Sequence, residues 1–176
     1  MSLYDRILVP TDGSAEGERA VSHALALASV HGATVHALYV VDTAKYAGMP
    51  METTWEGVGN LLRDDATEAV EAVERLAEGT GVAVDTAVVE GSPSREIVRY
   101  AEEHGCDLVV MGTHGRGGID RLLLGSVAEK VVRAAAVPVM TVRIDGDVAA
   151  GTAAESGNPA EATTPDDGEP EAAGRS

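Results

Sequence analysis

Five glycines stand between Met111 and the start of a helical pattern at Ser126: Gly112, Gly115, Gly117, Gly118 and Gly125. Glycine loses more backbone entropy on folding than any other residue, so a cluster indicates left-handed turns or a backbone that something approaches closely. The helix start adds unpaired N–H groups and the positive end of the helix dipole. Ser126 and Glu129 have the spacing of a capping box. Together these features predict an anion site, with phosphate as the first candidate.

The charge of this segment also favours an anion. Residues 113–133 contain four Lys or Arg residues and two acids, a local charge of +2 in a chain of net charge −16. His114 and Arg116 stand in the loop, where contact with phosphate is one interpretation and an ordinary exposed loop position is the other. The spacing excludes a P-loop, which needs G-x-x-x-x-G-K-[ST], and no G-x-G-x-x-G follows the first predicted strand.

The rest of the chain alternates between short β-branched runs and helical patterns. Because strands that alternate with helices imply right-handed crossovers, we expect a single α/β domain of Rossmann-like fold. It has an open five-stranded parallel sheet with helices on both faces. Ligands of such sheets bind beyond the carboxyl ends of the strands, where the strand order reverses. The predicted strands are 6–10, 34–42, 82–90, 107–112 and 138–143, and the helices are 15–32, 57–78, 92–105 and 126–136.

Composition and charge limit the possible partners, the extent of the folded domain and the cellular location. The net charge of −16 makes nucleic acid and anionic membrane surfaces poor partners. Residues 145–176 contain no aromatic residue, no Leu and no Ile, which predicts a domain over 1–143 and an acidic disordered tail over 144–176. Only two of thirteen basic residues are lysines, a balance that suits a high-salt cytoplasm. Without a signal-peptide pattern or a long apolar run, we expect a cytoplasmic protein.

Three landmarks resemble the universal stress protein family. Gly112, Gly115, Gly125 and Ser126 fit the G-x2-G-x9-G-[ST] pattern of its ATP-binding branch without a gap. The segment "VPTDGS" at the end of the first predicted strand and "LYVVD" at the second match the other two landmarks. The resemblance covers residues 3–143. It implies an adenine nucleotide alpha hydrolase-like fold and an ATP-binding regulatory module of the stress response.

The resemblance also implies which positions bind the nucleotide. Adenine and ribose would lie against Pro10, Thr11, Asp12 and Val40. The glycine loop would hold the phosphates through Met111, Gly112, Gly115, Gly125, Ser126 and Val127, with Mg²⁺ or Mn²⁺ bound through the phosphates. An apolar fifth strand at a sheet edge needs cover, which favours a homodimer through "PVMTVR", residues 138–143.

Two alternatives stay open at this point. The same pocket could serve a slow ATPase or a nucleotidyl transferase, although the chain lacks the H-x-G-H and S-G-G-x-D-S signatures of adenylyl-transferring relatives. The chain could also be a dimer scaffold without a nucleotide. The segment from Met49 and Met51 to Trp55 could cover the nucleotide or contact a second subunit. Cys106 and four histidines are expected to be structural: His23, His31, His36 and His104.

Overall fold

The computed structural model describes residues 2–45, 55–114 and 124–143, and it confirms the predicted α/β architecture. Within these residues the strands are β1 (Arg6–Pro10), β2 (Thr34–Asp42), β3 (Val84–Gly91), β4 (Leu108–Gly112) and β5 (Val139–Val142). The α-helices are α1 (Ala15–His31), α2 (Trp55–Ala77), α3 (Pro93–Glu103) and α4 (Ser126–Ala134). All neighbouring strands are parallel, in the order β3-β2-β1-β4-β5. A 3-10 turn at Thr43–Lys45 follows β2 and was not predicted.

The strand order reverses between β1 and β4. The chain builds outward from β1 through β2 to β3, then returns to place β4 on the other side of β1. In register, Ile7 of β1 lies opposite both Val35 and Leu108. Successive side chains of a strand point to opposite faces, so Ile7 and Leu8 enter different cores. Helices α1 and α2 cover the face of Ile7, and α3 and α4 cover the face of Leu8.

Helix α1 begins and ends with cap residues that the sequence provides. The Gly17 N–H donates to the Ser14 side chain, and Gly32 closes the helix in the left-handed conformation with φ 69°. The spacing of residues in this helix predicts a buried stripe of Ala20, His23, Ala24, Leu27 and Val30, and the structure buries only part of it. Ala20 and Ala24 are buried as predicted, but His23 is exposed and Val30 is 81% exposed. The helix is rotated so that Val21, Leu25 and Ala28 are buried in their place.

One histidine lies inside the core between the sheet and α3. His36 is buried on β2, with Nδ1 3.3 Å from the Tyr100 hydroxyl and Nε2 3.9 Å from an Asp85 carboxylate oxygen. His104 stacks on the Tyr100 ring at a centroid distance of 3.7 Å. Burial lowers the pKa of His36 below 6.5; the Asp85 charge opposes this shift, while His104 and Arg6 add to it.

This shift predicts a stability that depends on pH. Well above pH 6.5 His36 is neutral in both the folded and the unfolded chain, so its contribution to the free energy of unfolding is fully present. As pH falls below 6.5, the unfolded chain binds the proton first and the folded state loses stability. We expect the melting temperature to fall between pH 7.5 and 5.5. His36→Asn keeps a hydrogen-bonding atom near the Nδ1 position and should lose less over that interval. Equal losses in both proteins would contradict the assignment.

The single cysteine is structural, as expected. Cys106 is buried beside β4, and burial raises the pKa of its thiol to about 11, so it carries no thiolate at neutral pH. None of the helices in the described ranges is long and apolar enough to cross a membrane. The described residues all belong to one compact unit, Met1–Ile144. The predicted disordered tail lies outside the described residues and stays a prediction.

Candidate functional site

The carboxyl ends of β1, β2 and β4 lie side by side, because β1 is the central strand and β2 and β4 flank it. We call this region the carboxyl edge. The predicted site residues that lie there on β1, β2 and β4 or just after them are Pro10, Thr11, Asp12, Val40, Met111 and Gly112. Ser126 and Val127 begin α4, and the N–H of its N-cap residue Gly125 donates to the carbonyl of Thr113, which directly follows β4. Gly115 lies outside the described residues. The carboxyl edge is also where the strand order reverses, which is the usual ligand position in open parallel sheets.

The turn after β1 is held by its own polar side chains. The Ser14 N–H donates to Asp12 Oδ1 at 2.9 Å, and the Gly13 N–H donates to the Thr11 hydroxyl at 3.2 Å. Gly13 has φ 70°, a left-handed conformation that favours glycine. The Thr11 N–H donates to the Leu38 carbonyl of β2 at 2.9 Å. These bonds hold the Asp12 carboxylate in a defined place at the carboxyl edge.

Two of the five glycines allow close contact between backbones. A Cβ at Gly125 would lie 2.9 Å from the Thr113 carbonyl oxygen and 3.3 Å from His114 Cα. A Cβ at Gly112 would lie 3.2 Å from Glu16 Cβ. Gly125 has φ −62°, so the contact and not a left-handed turn requires glycine there. Its N–H donates to the Thr113 carbonyl at 2.8 Å, which fixes the start of α4 against the end of β4.

The predicted capping box at α4 is wrong. Gly125 is the N-cap residue, without a side-chain cap bond, and Ser126 is the first helical residue with an exposed side chain. Glu129 pairs with Arg133 at 2.9 Å instead of reaching back to the helix start. The bond from Gly125 to the Thr113 carbonyl moves the cap one residue toward the N-terminus. No side chain of the described residues therefore caps this helix start.

His114 lies at the carboxyl edge with a largely buried side chain, so its interpretation as an ordinary exposed loop residue is wrong. Its side chain is 9% exposed, and its N–H donates to Glu16 Oε2 at 2.8 Å. Its Nδ1 lies 3.0 Å from the Thr113 hydroxyl, while Nε2 is buried without a hydrogen-bond partner among the described residues. The Glu16 contact could not be predicted from the sequence, because an acid in the first turn of a helix is common.

Some of the remaining predicted features lie outside the described residues, and the others lie on α2. Arg116, Met49 and Met51 lie outside the described residues, and Trp55 begins α2. Six acidic residues along α2 and just after it are exposed, as expected of a solvated helix face: Asp64, Asp65, Glu68, Glu71, Glu74 and Glu78. Over the described ranges, no group of three or more His, Cys, Asp or Glu side chains is placed to hold a metal ion.

Comparisons with known proteins agree with this architecture. Residues 3–143 match the sequence profile of the Universal stress protein family. Universal stress protein MJ0531 of Methanocaldococcus jannaschii is 44% identical over 142 residues, which cover 81% of this chain and 84% of that protein. The solved structure of protein MJ0577 of the same organism has a TM-score of 0.73 at 32% identity, covering 82% of this chain and 99% of that one.

A further solved structure contains a nucleotide. It is a universal stress protein in complex with cAMP, with a TM-score of 0.59 at 26% identity. The superposition covers 80% of this chain and 97% of that chain. The structural likeness therefore includes a relative that was solved with an adenine nucleotide.

Proposed function

This chain belongs to the universal stress protein family, and from that membership we propose that it binds ATP at the carboxyl edge as a regulatory module of the stress response. The observation that carries the proposal is the start of α4. Gly125 brings the first turn of this helix against the end of β4, with no side-chain cap bond at Gly125. Free N–H groups and the positive end of the helix dipole suit a phosphate group.

The phosphates would bind at Gly112, Gly125, Ser126 and Val127, with Met111 contributing backbone only because its side chain is buried in the core. The exposed Ser126 hydroxyl can donate to a phosphate oxygen. Gly115 is assigned on the sequence motif alone. The relative solved with cAMP supports an adenine nucleotide as the ligand of this fold.

Adenine and ribose would bind at the ends of β1 and β2. The backbone of Val40 can hydrogen-bond an adenine edge, and Asp12 can accept from ribose hydroxyls or from the adenine amine. Pro10 and Thr11 supply the neighbouring wall, and the bond from Thr11 to Leu38 fixes their position. With no metal-ligand group in the described residues, Mg²⁺ or Mn²⁺ would be held mostly by phosphate and water.

Binding fits this site better than catalysis. Phosphoryl transfer needs a positioned nucleophile and dense positive charge around the transferred group. The charged side chains of the described carboxyl edge include the acids Asp12, Glu16 and Asp42. We therefore expect ATP turnover far below the roughly 1–100 s⁻¹ of a kinase.

We also propose that the chain is a homodimer joined through β5, the strand at one end of the sheet.

Ser126→Ala tests the phosphate assignment. The change removes one donor to a charged acceptor, worth about 1.5–3 kcal/mol, so the dissociation constant for ATP should rise about ten- to hundredfold. The melting temperature should stay the same, because Ser126 is not the cap residue. Calorimetric titration of nucleotide-free protein with ATP and Mg²⁺ in high salt measures the affinity.

Ser29→Ala is the matched control. Ser29 is exposed near the C-terminal end of α1, and the carboxyl edge lies at the N-terminal end of that helix. It should bind ATP like the unchanged protein. Equal affinity in the Ser126→Ala variant would remove Ser126 from the site. If the unchanged protein bound no adenine nucleotide, the proposed function itself would be wrong, and turnover at kinase-like rates would replace it with an enzymatic one.

A further inference from the structure

Glu16 joins the first turn of α1 to the chain that leaves β4. Its Oε2 accepts the N–H of His114 at 2.8 Å and lies 3.7 Å from His114 Nδ1. The Glu16 side chain is 23% exposed, so this bond is partly shielded from water. A hydrogen bond from an N–H group to a carboxylate is about twice as strong as one between neutral groups. The contact can therefore fix the backbone of His114 relative to α1.

The same side chain packs against the last residue of β4. A Cβ on Gly112 would lie 3.2 Å from Glu16 Cβ and 3.2 Å from the His114 carbonyl oxygen. A side chain at position 112 would therefore push Glu16 and His114 aside. Glycine at this position lets α1 approach β4 closely enough for the carboxylate to reach the N–H of His114.

Glu16 also belongs to the turn after β1. The Gly17 N–H donates to the Ser14 hydroxyl at 3.1 Å, and the Ser14 N–H donates to Asp12 Oδ1 at 2.9 Å. Asp12 and the start of α1 thus form one bonded unit, which Glu16 connects to the chain after β4. In the proposed function, Asp12 lies in the half of the site that binds adenine and ribose, and the chain after β4 leads to the half that binds phosphates. Glu16 therefore lies where the two halves meet.

We propose that Glu16 is a positioning residue that holds the two halves of the nucleotide site in register, an inference that rests on the proposed function. It acts on the nucleotide only through the backbone of His114. Without the bond, the chain after β4 adopts further arrangements, and the affinity for ATP falls in proportion to the fraction that stays competent. Adenosine has no phosphates, so its affinity depends only on the half of the site at the ends of β1 and β2.

Two substitutions separate the reach of this side chain from its charge. Glu16→Gln removes the charge and keeps a carbonyl oxygen at the same reach, while Glu16→Asp keeps the charge and is shorter by one methylene group. We expect Glu16→Asp and Glu16→Ala to raise the dissociation constant for ATP about tenfold and to leave that for adenosine unchanged. Glu16→Gln should stay within about threefold for both ligands. Calorimetric titrations of the full chain with ATP and with adenosine give the constants.

Glu18→Ala is the matched control. Glu18 is the other acid in the first turn of α1, and it is exposed. Its removal weakens the interaction of an acid with the helix dipole, as the removal of Glu16 does, but it leaves the bond to His114 in place. This variant should bind both ligands like the unchanged protein. Melting curves check that every variant folds.

A spectroscopic readout follows the bond directly. In ¹⁵N–¹H spectra of the backbone, the His114 amide proton should move upfield in Glu16→Ala and Glu16→Asp, because it loses a charged acceptor. The shift should be smaller in Glu16→Gln, which still offers an acceptor, and absent in Glu18→Ala.

The outcomes separate this inference from the proposed function. If the unchanged protein binds no ATP, the proposed function fails and the inference with it. If the unchanged protein binds ATP, and Glu16→Ala binds it equally well, only the inference is overturned. Equal losses of ATP and adenosine affinity in Glu16→Ala would also overturn it, because they would indicate a general structural role. A Glu16→Gln variant that loses as much ATP affinity as Glu16→Asp would contradict the assignment to the hydrogen bond.

Discussion

Replacing Gly125 by valine is expected to lower the affinity for ATP by about a hundredfold or more while the chain still folds. The new Cβ would lie 2.9 Å from the Thr113 carbonyl oxygen, which already accepts the Gly125 N–H at 2.8 Å. Neither backbone can yield without breaking that bond, so the start of α4 must move away from β4. Several charge-assisted donors at about 1.5–3 kcal/mol each would then miss the phosphates.

The same change should cost about 1–3 kcal/mol of stability through overpacking, so affinity is measured well below the melting temperature of the variant. Gly125→Ala adds the same Cβ and should show a smaller loss of the same kind. Ala134→Val, at the exposed last residue of α4, adds bulk far from the site and serves as the control. Unchanged ATP affinity in a folded Gly125→Val protein would contradict the assignment of the phosphate site to the start of α4. The parallel expectation for Gly115→Val rests on the sequence motif alone.

Thr141→Pro is expected to convert the proposed dimer into folded monomers. The carbonyls of Pro138 and Val142 face β4, where they accept from Val109 and Thr113, so the backbone groups of Thr141 face the open side of the edge. Proline removes the N–H on that side and leaves the bonds between β4 and β5 in place. Edge strands tolerate proline for this reason.

Thr141→Val keeps the N–H and the β-branched shape, so it should remain a dimer. Light scattering at high protein concentration in molar salt reports the mass of each protein. A monomeric unchanged protein would reject the dimer proposal. A dimeric Thr141→Pro variant would instead place the contact on another surface, and far-UV circular dichroism confirms that the variant is folded.

The strands and the helix ends were readable from the sequence because each has a local signal. The β1 and β2 bounds agree with the structure residue for residue, since Pro10 and the apolar runs mark them. The buried stripe of α1 was partly misread, because periodicity alone does not fix the rotation of a helix on a sheet. Val21, Leu25 and Ala28 lie outside the expected stripe and are buried, whereas Val30 is exposed to solvent.

Only those parts of the site that are formed by residues close together in the sequence could be predicted from it. The strand-end positions and the glycines before α4 follow from motif spacing. The contact between Glu16 and His114 joins residues 98 positions apart, and only the fold reveals it. The misplaced capping box has a similar origin, because a long-range bond from Gly125 to Thr113 decides where α4 begins.

The place of β1 in the sheet has a consequence for synthesis on the ribosome. β1 is the first strand made and the central one, and it pairs with β4, from which about 100 residues separate it. β2 and β3 emerge soon after β1 and can pair with it, but the other edge of β1 stays open until β4 leaves the exit tunnel. Asp107 then joins the two strands by accepting from the N–H groups of Asp5 and Arg6. The nascent chain therefore carries an unpaired edge on a mostly apolar strand until β4 is made, the kind of surface that chaperones protect.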